Sequence, residues 1–241
     1  MRLLIVRHGD PDYENDSLTE QGEREARLLA EDLAQMPIAA AYVSPLGRAR
    51  RTAQYTLDAL NIKAETCDWL REFDSRIHRP DKEGLFIAWD WLPQDWTKEP
   101  DFLSVNTWLR PETMAESDTP EKYRAVCDGI DALLDRHGYR REGNLYRVHR
   151  ANHDIVALFC HFGVESVILG HMLNISPMSL WHGFCALPTA VTTLYTEERR
   201  AGIASFRVSE YGSLSHLHRA GVTPSFSARF CECYTDDTRH D

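Results

Sequence analysis

The chain has 241 residues, 43% of them hydrophobic, which suits one sizeable core and excludes an intrinsically disordered protein. Its formal net charge of −10 excludes a general surface for nucleic acid or anionic membranes, so any bound anion must be drawn in by a local cluster of cations. No apolar run approaches the roughly 20 residues that span a bilayer, and the few apolar residues near the start are too short for a signal peptide, so the expectation is a cytoplasmic protein without membrane partners.

In chain order, residues 3–6 form a continuous apolar run that predicts a buried strand ending at Arg7-His8-Gly9. Thr19 is a candidate N-cap for a helix with Ala26, Leu29, Ala30 and Leu33 on one face and Pro37 as its stop. Residues 40–43 predict a second buried strand, closed by the turn Ser44-Pro45-Leu46-Gly47. A helix then runs from Arg48 to about Leu60, and residues 63–67 read as a third strand. This alternation implies a mainly parallel sheet covered by helices on both faces.

Residues 75–118 break the rhythm. They hold Trp89, Trp91, Trp96 and Trp108 together with Pro80, Pro93, Pro100 and Pro111, too aromatic for a disordered linker, and predict an inserted cap of short helices and ordered loops. A helix over 119–137 follows, with Pro120 in its first turn and Gly138 closing it. Residues 145–149 and 154–160 read as strands joined in a hairpin around 150–153, and a helix is expected over 164–173. Two last strands are expected over 189–195 and 203–208, before a C-terminal extension from 209 to 241 with Tyr211, Phe226, Phe230 and Tyr234. The whole, 1–241, reads as one α/β domain carrying a cap.

The cysteines Cys67, Cys127, Cys160, Cys185, Cys231 and Cys233 lack regular spacing and read as reduced thiols. Cys231-Glu232-Cys233 has no second pair with which to build a metal site. His149 and His153 are four apart, a spacing for helix-borne ligands, but they lie in a predicted turn, so no metal is expected there.

Chemistry gathers just past the strand ends, where open α/β sheets bind ligands. Arg7-His8 follows the first strand, Arg48 the second and His161 the strand ending at Cys160, while Glu72 lies beyond the third. Two histidines, two arginines and a carboxylate on one sheet edge suit phosphoryl transfer, in which fixed positive charge and positioning supply most of the catalysis. Arginine can grip two phosphate oxygens at once, neutral His8 can attack phosphorus, and a protonated Glu72 can supply the leaving oxygen's proton. Arg50 and Arg51 read as a solvated helix face. Arg76, His78, Arg79 and Lys82 read equally as a second anion site or a solvated patch.

Taken together, Arg7-His8-Gly9, Leu18-Thr19 with Gly22, Ser44-Pro45-Leu46-Gly47-Arg48-Ala49 with Thr52-Ala53, and a late strand ending in His161 resemble the histidine phosphatase superfamily, the phosphoglycerate mutase-like group. The likeness runs from the first residues to the last strands and leaves out 75–118 and the tail after about 209. It implies a three-layer α/β/α sandwich, no metal or other cofactor, and a phosphohistidine mechanism. By the same resemblance His8 is the nucleophile, Arg7, Arg48 and His161 form the phosphate pocket, and Glu72 is the proton donor. Pro11 stands where the family often has Thr, and Glu14 near a usual Asn, which leaves Asn15 or Ser17 for that phosphate contact. Phe162 follows the second histidine in place of Gly. The absence of Asp at that position favours Glu72 as the acid, with Asp74 as fallback, and Glu72-Phe73-Asp74-Ser75 does not reproduce the mutase branch.

The expected activity is a metal-independent phosphomonoesterase acting on a small phosphorylated metabolite, with no nucleic acid or membrane partner and a homodimer left open. A protein phosphohistidine phosphatase is an alternative that the long cap argues against. A phospho-ligand sensor with weak turnover is another, suggested by Pro11 and Phe162.

Overall fold

Residues 1–80, 83–225 and 233–234 are described by the computed structural model of the chain. The first half contains β1 Arg2–Arg7, β2 Pro11–Asp12, β3 Ser17–Leu18, α1 Glu20–Leu33, β4 Ile38–Val43, α2 Gly47–Leu60, β5 Ala64–Thr66, β6 Arg76–His78, β7 Leu85–Ile87, α3 Pro93–Trp96 and α4 Glu112–Ala115. The second half contains α5 Thr119–Arg136, β8 Tyr139–Glu142, β9 Leu145–Val148, β10 Ile155–Cys160, α6 Phe162–Leu173, α7 Pro177–Gly183, β11 Val191–Arg200, β12 Ile203–Ser213 and α8 Ser215–Arg219.

The central sheet has the order β5-β4-β10-β1-β11-β12-β9-β8. The first four strands run parallel, and the remaining four extend the sheet in antiparallel fashion. Side chains alternate across a strand, so each face needs its own cover. Leu4 and Val6 of β1 join Leu29 and Leu33 of α1 and Ala49 and Ala53 of α2 on one face. Leu3 and Ile5 join Ile130, Leu133 and Leu134 of α5 and Val164, Val167 and Ile168 of α6 on the other. The result is the α/β/α sandwich. β10 is buried at every position, which explains its unbroken apolar sequence. Thr19 caps α1 as its sequence predicts, its side chain accepting the Gly22 N–H.

The structure corrects one pairing. β10 does not form a hairpin with β9; it runs parallel between β4 and β1. β9 instead pairs with β8 across the two-residue turn Gly143-Asn144. Gly-Asn between two short strands is a hairpin signal in its own right, and a strand apolar on both faces has to lie inside a sheet. β12 also continues to Ser213, five residues beyond the predicted strand end, and α7 follows α6 where no helix is expected from sequence.

The segment between β5 and α5 carries the β6–β7 hairpin as well as short helices. It shares the core of the α5–α6 face, through buried Ile77, Ala88, Trp91, Phe102, Trp108 and Met114. Trp108 meets Trp181 of α7 at 5.6 Å and Tyr123 of α5 at 5.0 Å, edge to face in both cases. His182 of α7 accepts the Trp91 N–H at 3.0 Å through Nε2 and donates through Nδ1 to the Met178 carbonyl at 2.7 Å. Both ring nitrogens are thus committed in the neutral form, and burial lowers the pKa of His182 to about 4.

Of the aromatic tail residues, Tyr211 lies in β12 against Phe184 at 5.0 Å. Phe226, Phe230, Cys231, Glu232 and Lys82 lie outside the described residues. Cys67, Cys127 and Cys160 are buried thiols. No helix among the described residues is long and apolar enough to cross a membrane.

Because the tryptophan-rich segment and the sheet share one core, Trp108→Ala is expected to cost about 3–5 kcal/mol of global stability in a single denaturant transition. A separate early transition for the segment, seen by tryptophan fluorescence, would contradict this.

Candidate active site

Three neighbouring parallel strands end together. Arg7 pairs with Cys160, and Phe159 with Val43, so the next residues, His8, His161 and Ser44, emerge side by side. Backbone bonds from His8 N to Cys160 O (3.1 Å) and from Ser44 N to Phe159 O (2.9 Å) carry the register one step past the sheet. The His8 and His161 rings lie 5.0 Å apart, centroid to centroid.

His8 is buried. Its Nδ1 lies 2.7 Å from the Gly9 carbonyl. A carbonyl only accepts, so Nδ1 carries the proton and Nε2 keeps its lone pair. Gly9 is fixed by its own N–H, which donates to Thr52 Oγ1 at 2.9 Å, and Thr52 donates in turn to the Arg48 carbonyl at 2.8 Å. The glycine is required by close approach, because a Cβ there would stand 2.8 Å from the Gly22 carbonyl oxygen. His161, fully buried, meets Ser44 Oγ at 2.8 Å through Nε2. The Ser44 oxygen also accepts the Leu46 N–H at 3.3 Å, and its own proton is assigned to Nε2. On this assignment the ring proton of neutral His161 sits on Nδ1, which has no hydrogen-bond partner among the described residues.

Burial is the main cause holding both imidazoles well below their ordinary pKa. For His8 it is followed by Arg7 and then Arg48; for His161 by His8 and the same arginines. Arg7 Nη1 donates to the Ala186 carbonyl at 2.5 Å. Arg48 Nη1 pairs with Asp16 at 2.7 Å, and Asp16 also accepts the Gly47 N–H at 2.6 Å. In each arginine the buried Nε has no hydrogen-bond partner among the described residues.

Glu72 reaches the same place from the loop after β5. Its Oε1 accepts the N–H of Phe73 at 2.8 Å and of Val164, in the first turn of α6, at 3.1 Å. Gly163 makes this approach possible, since a Cβ there would lie 2.5 Å from Glu72 Oε1 and 2.8 Å from Trp89 Nε1. Burial raises the Glu72 pKa, outweighing the two backbone N–H groups and both arginines. Phe162 fills the space beside Arg7, whose guanidinium lies 5.9 Å from its ring, and Trp89 meets the ring edge-on at 5.9 Å.

The fold thus brings His8, His161, Arg7, Arg48 and Glu72 together. Asn15 is not among them: it is exposed, and its amide donates to Asp12 at 2.8 Å. From that loop Asp16 hydrogen-bonds Arg48 and the Tyr13 ring lies 5.5 Å from its guanidinium, contacts for which the sequence offers no signal beyond a polar loop. Asp74 is tied to Lys122 at 2.6 Å and exposed, so of the two candidate proton donors Glu72 is the one at the site. Arg79 is buried, donating to the Asp90 carbonyl at 2.6 Å, while Arg76 and His78 are exposed on β6. Ser44 and Thr52 sit inside recognised motifs, yet their hydrogen bonds become visible only in three dimensions.

A sequence model described as the histidine phosphatase superfamily (branch 1) matches residues 3–209. The chain belongs to that superfamily. Among its curated relatives, the adenosylcobalamin/alpha-ribazole phosphatase of Salmonella typhi is 26% identical over 193 residues, 76% of this chain and 84% of that protein. The probable phosphoglycerate mutase GpmB of Serratia proteamaculans is 35% identical over 81 residues, but this match spans only 30% of the present chain and 38% of that relative. Among solved structures, a mycobacterial glucosyl-3-phosphoglycerate phosphatase superposes with a TM-score of 0.59 at 17% identity, covering 88% of this chain and 98% of its own. At that identity the likeness speaks for the fold.

One further carboxyl stands beside the strand-end cluster. Glu165 is fully buried and burial pushes its pKa up to about 7. A carboxyl whose pKa is raised in the folded state costs stability wherever the unfolded chain would ionise it, in full above the folded pKa and not at all below the unfolded one. Glu165→Gln is therefore expected to stabilise the protein by about 1–3 kcal/mol near pH 8, with the difference fading toward pH 4.5. Urea midpoints of both proteins at the two pH values test this.

Proposed function

We propose that the protein is a phosphomonoesterase that works through a phosphohistidine on His8, without a metal ion, on a small phosphorylated metabolite. The observation that carries this reading is the state of His8. It is a neutral imidazole with Nδ1 held by Gly9, which leaves the lone pair on Nε2, in a neighbourhood where Arg7 Nε, Arg48 Nε and His161 Nδ1 all lack partners among the described residues. A tetrahedral dianion would satisfy these three donors while its phosphorus meets Nε2.

In the first step His8 Nε2 attacks phosphorus as the bond to the leaving oxygen breaks. Arg7, Arg48 and His161 hold the charge that builds on the equatorial oxygens, and Glu72 gives its proton to the departing alkoxide. In the second step the Glu72 carboxylate takes a proton from water, whose oxygen attacks the phosphohistidine. His8 leaves neutral and Glu72 is again protonated. A carboxyl raised by burial suits both halves of this cycle.

Relatives named as phosphatases of small metabolites support the substrate class. The limited match to a probable mutase does not outweigh the acidic stretch Glu72-Phe73-Asp74-Ser75, so net hydrolysis is the expected outcome.

The test is hydrolysis of a panel of phosphorylated metabolites and an aryl phosphate in excess chelator. Turnover should persist with chelator and vanish in His8→Ala. Glu72→Gln should lower kcat by about 10²–10⁴ on alkyl phosphates and much less on an aryl phosphate whose leaving group departs without a proton. Activity needs His8 neutral and Glu72 protonated. The acid limb of the pH profile should therefore lie well below pH 6.5 and the alkaline limb above the usual carboxylate range. Anion binding without turnover on any substrate would replace this reading with that of a phospho-ligand sensor.

A further inference from the structure

The proposed cycle makes no use of Glu165, although this side chain is the most deeply enclosed acid near the pocket. It stands in the first turn of α6, four residues past His161, whose carbonyl accepts its backbone N–H at 3.0 Å. Its side chain is fully buried, neither carboxyl oxygen makes a close, well-aligned hydrogen bond among the described residues, and the Thr192 hydroxyl is the donor that acts on it. A buried acid left in this state is rare in native proteins and calls for a reason.

Its surroundings come from several elements. Arg7 of β1 draws it toward the charged form, and Glu72, from the loop after β5, pushes it toward the neutral one. Thr192 of β11 accepts the Gly212 N–H at 3.1 Å, which leaves the hydroxyl proton to face Glu165 and favour its carboxylate. Tyr211 of β12 and Cys160 of β10 both feel the Glu165 charge, which opposes their own ionisation. Tyr211 Oη and Arg7 Nε are also buried without hydrogen-bond partners among the described residues. Among the described residues Arg7 is the cation that acts on Glu165, and in the proposed cycle it is also a cation that holds the anion.

Two negative groups would then share one guanidinium. With the pocket empty, Arg7 compensates an ionised Glu165. A dianion in the pocket takes over that compensation and adds negative charge of its own, so the buried carboxylate becomes unfavourable.

We propose that Glu165 is a positioning residue acting through Arg7, whose carboxyl takes up a proton from solvent when a tetrahedral dianion enters the pocket and returns it when the anion leaves. The proposal rests on the phosphatase reading, because it requires Arg7 to hold the anion. By linkage, anion affinity must fall as Glu165 ionises. If the dianion moves this equilibrium by about one pH unit, the loss is about tenfold.

The experiment is calorimetric titration of wild type and Glu165→Gln with tungstate, which stays a dianion throughout, from about pH 6.5 to 8.5 in two buffers of different ionisation enthalpy. Near neutral pH the wild type should take up more proton per bound tungstate than Glu165→Gln. It should also lose about tenfold in affinity toward the alkaline end, which the variant should not. Because Glu72 acts on Glu165, the same comparison is made in a Glu72→Gln background, where the difference should persist. Thr192→Val keeps Glu165 but removes the proton facing it, and should move the affinity loss to higher pH. This second variant decides the matter if Glu165→Gln does not fold. Equal proton uptake and equal pH dependence in wild type and Glu165→Gln, or an unmoved midpoint in Thr192→Val, would overturn the proposal and leave the phosphatase reading standing. No tungstate binding by the folded wild type would overturn both.

Discussion

The parallel insertion of β10 between β4 and β1 is the constraint on which the rest of the site depends. Side chains alternate along a strand, so a one-residue slip would turn His161 from the pocket into a helix layer. The slip is prevented on both faces, because every residue of β10 is buried and each belongs to a particular core. The same register that places Phe159 beside Val43 and Cys160 beside Arg7 therefore places Ser44, His161 and His8 in a row.

Enclosure of these strand ends has an electrical consequence. They are covered by α2, α6 and the loops after β5 and α7, so ionisation there is governed first by burial and only then by neighbouring charges. Bases are pushed toward the neutral form, as at His8 and His161, and acids likewise, as at Glu72 and Glu165. Arg7 and Arg48 remain as the fixed cations, on a chain whose net charge is −10. Positive potential is thereby concentrated where the histidines stand, while Asp16 engages Arg48 and the Ala186 carbonyl engages Arg7.

The tryptophan-rich segment takes part in both effects. Trp91, Phe102 and Trp108 extend the core beneath the site, and the bond from the Trp91 N–H to His182 fastens the segment to α7. Trp181 of α7 in turn donates to the Gly163 carbonyl at 3.0 Å, at the start of α6. At Gly163 both Glu72 and Trp89 stand where a side chain would otherwise lie. Packing in the segment and the position of the carboxyl are therefore linked through one short stretch of backbone.

Much of this was legible in the linear chain. Apolar runs at residues 3–6 and 155–160, the Thr19 cap and the Ser44–Gly47 turn located the strands and helices that frame the site, and strand-end chemistry singled out His8, Arg7, Arg48 and His161. These signals are local, and local periodicity is what a buried strand or an amphipathic helix writes into sequence. Strand partnership is not local, which is why β10 could be read as half of a hairpin while Gly143-Asn144 turned a different one. Nor could sequence assign Asn15 and Asp16 their partners, or give Ser44 and Thr52 their bonds, since each depends on a loop meeting another element far along the chain. The chain by itself determined which groups are present and on which kinds of element they ride. Tertiary structure alone decided which of them are buried together, and burial sets their charge, because the cost of ionisation depends on an environment that distant residues build.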